Sequence, residues 1–172
     1  MDPFLHSLRI WLEHTTLSSW VTGPIYVWPV LETLHFLGLS LLIGTIGLFD
    51  LRLLGMGKGL SPGLLSRLIP WGMAGFALNV VTGILFFVGE PKNYVHNIAF
   101  YFKMTFVVLA GINVLVFYLT VSRKVEALGP GDDAPLGAKL IAATSLLLWI
   151  GVMSAGRLLT FYHDHGLGQL IE

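Results

Sequence analysis

Apolar residues run through the chain in four long blocks separated by short polar or glycine- and proline-containing breaks. The blocks extend from about Pro29 to Leu54, Pro70 to Val88, His96 to Val121 and Ala138 to Tyr162. Each is near the ~20 residues that carry a helix across the hydrocarbon of a bilayer. Residues 1–22 follow a different rule. Phe4, Leu8, Trp11 and Leu12 share one helical stripe, Ser7, Arg9, Glu13 and His14 fall mostly off it, and Asp2 and Pro3 suit a cap and a first-turn proline. That pattern predicts an amphipathic helix lying in the membrane interface. A signal peptide fits poorly, because no basic segment and no unbroken apolar run precede a cleavage site. The expected fold is all-α: a membrane four-helix bundle with an N-terminal amphipathic interfacial helix, residues 1–172 forming one domain. Gly72, Gly75 and Gly83 in the second span, with Gly151, Ala155 and Gly156 in the fourth, would let helices approach closely in lipid.

Composition agrees with the pattern. Hydrophobic types make up 55% and charged types 12% of 172 residues, and the mean hydropathy is +0.77, too little charge to coat a soluble domain. Ten lysines and arginines balance ten aspartates and glutamates, so there is no basic excess to engage nucleic acid. Cysteine is absent, which excludes disulfides, iron–sulfur clusters and thiolate chemistry and leaves histidine, methionine and carboxylate as ligands for a metal or haem. No motif of the hydrolase, zincin or phosphate-loop kind occurs.

The basic residues predict an orientation. Arg52, Lys58, Arg67, Arg123, Lys124 and Lys139 flank one set of connections, against Arg9 and Lys92 on the other side. The positive-inside rule then places both termini outside, periplasmic if the membrane is a bacterial inner membrane. His6, His14, His96, His163 and His165 fall in outer segments, and His35 lies in the outer part of the first span. His35, His96, His163 and His165 are the candidate metal ligands, with the His163-Asp164-His165 tail able to chelate copper if ordered.

The first span carries four ionisable residues that lipid does not explain. Counted inward at ~1.5 Å per residue, Glu32 and His35 share a depth with Lys103 of the third span and Arg157 of the fourth. Asn79 and Met153 lie somewhat deeper, and Trp149 a turn deeper again. Ionisable groups in a span face the bundle interior or a wet cavity and pair with one another, so this layer is the candidate site. Several structural alternatives compete with it. Glu32 and His35, three apart, share a helix face and could bond each other; Lys103 and Arg157 could snorkel; Asn79 and Asn113 suit interhelical hydrogen bonds. Asp50 and Arg52 read as an inner closure, with Asp50 paired to a basic group of another helix and Arg52 open to snorkelling.

Glu32-x-x-His35 has the spacing of four-helix dinuclear metal sites, but no second such motif and no other glutamate within a span completes one. A b-type haem asks for less: His35 as axial ligand, Met153 opposite, Lys103 and Arg157 near the propionates, and room at Gly38 and Gly156. That reading makes the chain an electron-transfer protein. The alternative uses the same layer for a quinone or a proton, or makes the chain a non-enzymatic membrane subunit or transport component. Beyond the bilayer, the expected partners are a second copy or another membrane protein.

The stretches ETLHFLGLSLLIGTIGLFDLRLLG, PWGMAGFALNVVTGILFF, NIAFYFKMTFVVLAGINVLVF and LLWIGVMSAGRLLTF resemble a family of small bacterial four-span membrane proteins with no established activity. The resemblance covers the four spans and implies Glu32, His35, Asp50, Arg52, Lys103, Asn113 and Arg157 as motif positions. The first span, histidine followed by glycine, is more loosely similar to copper-resistance D-type membrane proteins and to four-helix b-type cytochromes. The chain departs from those cytochromes in lacking paired histidines within its spans.

Overall fold

A computed structural model of the chain describes residues 3–95 and 97–164. Among these residues the fold is all-α, with no strand. Helices α1 (Pro3–Glu13) and α2 (Thr16–Thr22) precede α3 (Val27–Leu53), the first span. After a loop come the short α4 (Pro62–Leu65), a 3₁₀ turn (Ser66–Leu68) and α5 (Ile69–Gly89), the second span. A short α6 (Lys92–Val95) leads to α7 (Ile98–Thr120), and α8 (Ser122–Glu126) and a loop lead to α9 (Leu136–Asp164). α3, α7, α9 and the run Pro62–Gly89 are long and apolar enough to cross a membrane. α3, α5, α7 and α9 cover residues 27–53, 69–89, 98–120 and 136–164, beside the apolar blocks of about 29–54, 70–88, 96–121 and 138–162.

The four spans pair as two antiparallel hairpins, α3 with α5 and α7 with α9, joined where α3 packs on α9. We call the end bearing α1, α2 and α6 the terminal end and the end bearing α4 and α8 the loop end.

The α3–α5 pair is held by backbone contact. A Cβ placed on Gly38 would lie 2.9 Å from the Gly75 carbonyl oxygen, and one placed on Gly75 would lie 2.5 Å from the Gly38 carbonyl oxygen. No side chain fits at either position without separating the helices. Such close approach is how helices associate in lipid, where there is no hydrophobic force between them. Deeper in the bundle, Leu42, Ala110, Leu148, Trp149 and Val152 join three spans in one buried cluster.

The N-terminal region differs from the single interfacial helix expected. It breaks at His14–Thr15, where Thr15 caps α2 by accepting a hydrogen bond from the Ser18 N–H. α2 then docks on the bundle: Val21 is fully buried with Val27 and Leu31, and the Ser18 hydroxyl donates to the Gly89 carbonyl at 3.3 Å. Phe4, Trp11 and Trp20 remain exposed, as a surface meeting the lipid interface requires.

The loop end is gathered by Arg52. Its side chain is 1% exposed, so it does not snorkel. Nε donates to the Leu60 carbonyl at 2.5 Å and Nη2 to those of Gly129 and Asp132 at 3.4 and 3.1 Å, tying both loops to the end of α3. Asp50, also buried, has no basic partner among the described residues; its carboxylate meets the Ser145 side chain of α9, and Oδ2 is left without a hydrogen bond among them. The closure expected at this end therefore runs from arginine to loop carbonyls instead of through an ion pair at Asp50. Lys58 and Lys139 both bind Asp133 on the loop surface, at 3.1 and 2.6 Å. These two cations hold the exposed Asp133 carboxyl below the usual carboxylate range.

Two variants test this architecture. Gly75→Val forces α3 and α5 apart and is expected to lower stability in detergent by about 1–3 kcal/mol, seen as a reduced thermal midpoint. Arg52→Met removes a cation worth ~1.5–3 kcal/mol per hydrogen bond. It should expose residues 55–61 and 127–135 to protease, with Arg52→Lys intermediate because lysine cannot reproduce the guanidinium fork.

Candidate functional site

Residues 72, 75, 79, 82, 86 and 89 of α5 recur at three- and four-residue spacing and form the face turned to α3 and α2. Where the glycines end, that face becomes polar and then aromatic. His35 of α3 lies against it. Nδ1 of His35 is 2.7 Å from Oγ1 of Thr82, a residue 1% exposed, and its ring meets the edge of Phe86 at 5.6 Å between centroids.

The Thr82 hydroxyl has one proton and competing acceptors. Its oxygen lies 2.7 Å from the Leu78 carbonyl one turn back and 3.3 Å from that of Asn79. If the proton pointed at His35, a single hydrogen bond would form. If it points at Leu78, Oγ1 is free to accept from Nδ1–H, and two bonds form in a chain from His35 Nδ1–H to Thr82 Oγ1–H to the Leu78 carbonyl. The second arrangement satisfies more groups, and successive bonds polarise one another. In the neutral ring it leaves Nε2 with its lone pair, the arrangement by which outer partners ready a histidine for a ligand.

Lys103 reaches the same level from α7. Its Nζ lies 3.9 Å from the Cβ position of Gly156 on α9, and its charge acts on His35. The side chain thus runs inward, between helices, rather than out to headgroups. Among the described residues it is in no ion pair; those are Arg9–Glu13 and the two on Asp133. Asn79, one turn below Thr82, donates to the Gly75 carbonyl at 2.9 Å and presses Nδ2 against Gly38, while its buried Oδ1 has no partner.

The remaining members of the predicted layer lie elsewhere. Glu32 does not bond His35; it is exposed and accepts from Trp28 Nε1 at 3.3 Å. Arg157 is exposed, and so is Met153 at 37%. Trp149 is a core residue, edge-on to Phe76 at 6.4 Å. Asn113 donates to the Ile141 carbonyl at 3.1 Å, an interhelical bond. His96 and His165, and the side chain of His163, lie outside the described residues; among those described, no three or more histidines and carboxylates gather as a metal site.

A model of a family of unknown function, DUF6644, matches residues 11–162, which include all four spans. The chain belongs to this family. No curated protein and no solved structure matches it. Family membership thus assigns no reaction.

Sequence reasoning missed Thr82 and the aromatic cap over the layer. Phe87 of α5 stacks on Phe100 of α7 at 5.6 Å, and Tyr94 of α6 lies 5.8 and 5.5 Å from these two rings. Asn93, beside Tyr94, donates to Glu90. Thr82 was legible as the polar residue continuing the glycine stripe of α5; the cap brings together three segments and had no local signal.

Burial, and then the charges of Glu90 and Glu32, push the Tyr94 phenol up to about 12. The folded state holds this proton more tightly than the unfolded chain, whose phenol titrates near 10. Its contribution is therefore complete below about pH 10 and is lost as pH rises towards 12. Ultraviolet titration of a variant series that isolates Tyr94 should show a midpoint near 12, moving down in Glu90→Gln; a midpoint of 10 in the folded protein contradicts this environment.

Proposed function

We propose that the chain is a membrane binding protein for the polar head of a lipid-soluble quinol-type molecule, held in the His35 layer between the two hairpins. The observation that supports it is the hydrogen-bond chain behind His35. By committing Nδ1–H to Thr82, it leaves Nε2 as an acceptor for a ligand hydroxyl. Lys103 places a cation at the same level for a second, more electron-rich oxygen. Both groups sit among apolar side chains, the setting in which a few polar groups orient an otherwise hydrophobic ligand.

A haem reading shares the Nε2 lone pair and asks for more room. The two glycines that would admit a porphyrin are used otherwise: Gly38 is filled by Asn79 and the Gly75 backbone, and Gly156 faces Lys103. Met153 is exposed. The residues present do not fit a haem without separation of the helices.

One preparation tests both readings. Purified protein in nanodiscs is titrated with a short-tailed ubiquinol, following quenching of its tryptophans. Saturable binding is expected, weakened about tenfold or more, or ~1.4 kcal/mol, by His35→Ala and by Lys103→Met, and unchanged by His14→Ala. Equal affinity in all variants, or no binding, overturns the proposal. A Soret band present as purified and lost in His35→Ala establishes the haem reading in its place.

A further inference from the structure

α5 and α7 each pack on another helix, and at the terminal end they meet through Phe87 and Phe100. At the loop end they stand apart around a cavity of about 250 Å³, lined by Phe49, Ile69, Met73, Phe117, Tyr118 and Glu126 among others. Met73 and Tyr118 are 65% and 51% exposed, so the cavity opens on the flank of the spans, where lipid lies. Its volume exceeds the ~150 Å³ in which an apolar cavity holds a benzene. A segment of hydrocarbon chain fits.

Charge at its rim is one-sided. Arg67 lies on the 3₁₀ turn and Arg123 and Lys124 on α8, the two short elements that contribute Ser66, Val125 and Glu126 to the lining. All three cations are exposed and, among the described residues, in no ion pair. Each is next to or within two residues of a lining residue, and Glu126 is the one carboxylate among the lining residues, so the elements bordering the cavity carry a surplus of positive charge near where the headgroup of a lipid in this seam would lie. Basic clusters beside gaps between spans are the chemistry that retains anionic lipids.

We infer that the α5–α7 seam at the loop end is a binding site for an anionic phospholipid, one acyl chain in the cavity and the phosphate on the Arg67, Arg123 and Lys124 cluster. The site is separate from the His35 layer and does not depend on the ligand proposed there.

The test is native mass spectrometry of the full chain released from vesicles of equal parts phosphatidylglycerol and phosphatidylcholine. The wild type is expected to retain phosphatidylglycerol at least severalfold over phosphatidylcholine. Arg67→Ala, Arg123→Ala and Lys124→Ala combined should erase that preference, and Met73→Trp, which fills the cavity, should reduce retention of both lipids. No preference in the wild type, or an unchanged preference in the triple variant, overturns the inference. Inorganic phosphate added in excess separates the sources: displacement of lipid by phosphate alone would assign the cations an ion site and contradict the acyl-chain anchor. If Met73→Trp fails to fold, the triple variant, confined to exposed side chains, decides the matter.

Discussion

The contact between the backbones of α3 and α5 at Gly38 and Gly75 sets everything that follows at the site. Two helices this close cannot slide or turn without a clash, so their register is fixed to within a fraction of a turn. With Gly38 on Gly75, His35 falls level with Thr82 and Asn79 is trapped beside Gly38. A larger residue at either glycine would separate the helices and lengthen a 2.7 Å hydrogen bond beyond its useful range. The small residues are thus both the reason the pair associates in lipid and the reason a polar site can be built on it.

The polar groups of the bundle divide by function along its length. At the loop end, Arg52 spends its donors on carbonyls of two loops, a structural use that leaves nothing over for a ligand at Nε or Nη2. Two turns in from the loop end of α7, Asn113 binds a carbonyl of the facing helix. In the His35 layer the balance changes: among the described residues Lys103 is in no ion pair and Asn79 Oδ1 in no hydrogen bond. Unsatisfied polar groups in a span are costly; Asp50 Oδ2 and Arg52 Nη1 at the loop end also lack hydrogen bonds among the described residues, so this layer is distinguished by the company of His35 and Lys103 and not by the number of such groups.

Four spans were readable from hydropathy because lipid imposes length and composition on each segment independently. Rise per residue converts sequence position into height, which is why His35 and Lys103 share a depth on the sequence alone. Rotation about the helix axis was not readable in the same way. Met153 and Arg157 share that height and are exposed, and Glu32 bonds Trp28 although it shares a face with His35. Which face of a span meets which neighbour depends on packing against helices distant in sequence, and in lipid an apolar stripe does not report it. The small and polar stripe of α5 did, and it contained the partner of His35. Arg52 was legible as part of an inner closure but not in its partners, for a related reason: a snorkelling arginine and one buried under two folded loops look alike until the loops are placed.

Binding of a ligand hydroxyl at His35 requires the ring proton on Nδ1 and a lone pair on Nε2. Nitrogen-15 NMR of the protein with labelled histidine, read at a pH where the ring is neutral, reports this directly. The chain through Thr82 predicts a protonated Nδ1 and an unprotonated Nε2 for His35, with the preference lost in Thr82→Val and kept in Thr82→Ser. A wild-type ring protonated at Nε2, or a tautomer indifferent to Thr82→Val, would contradict it.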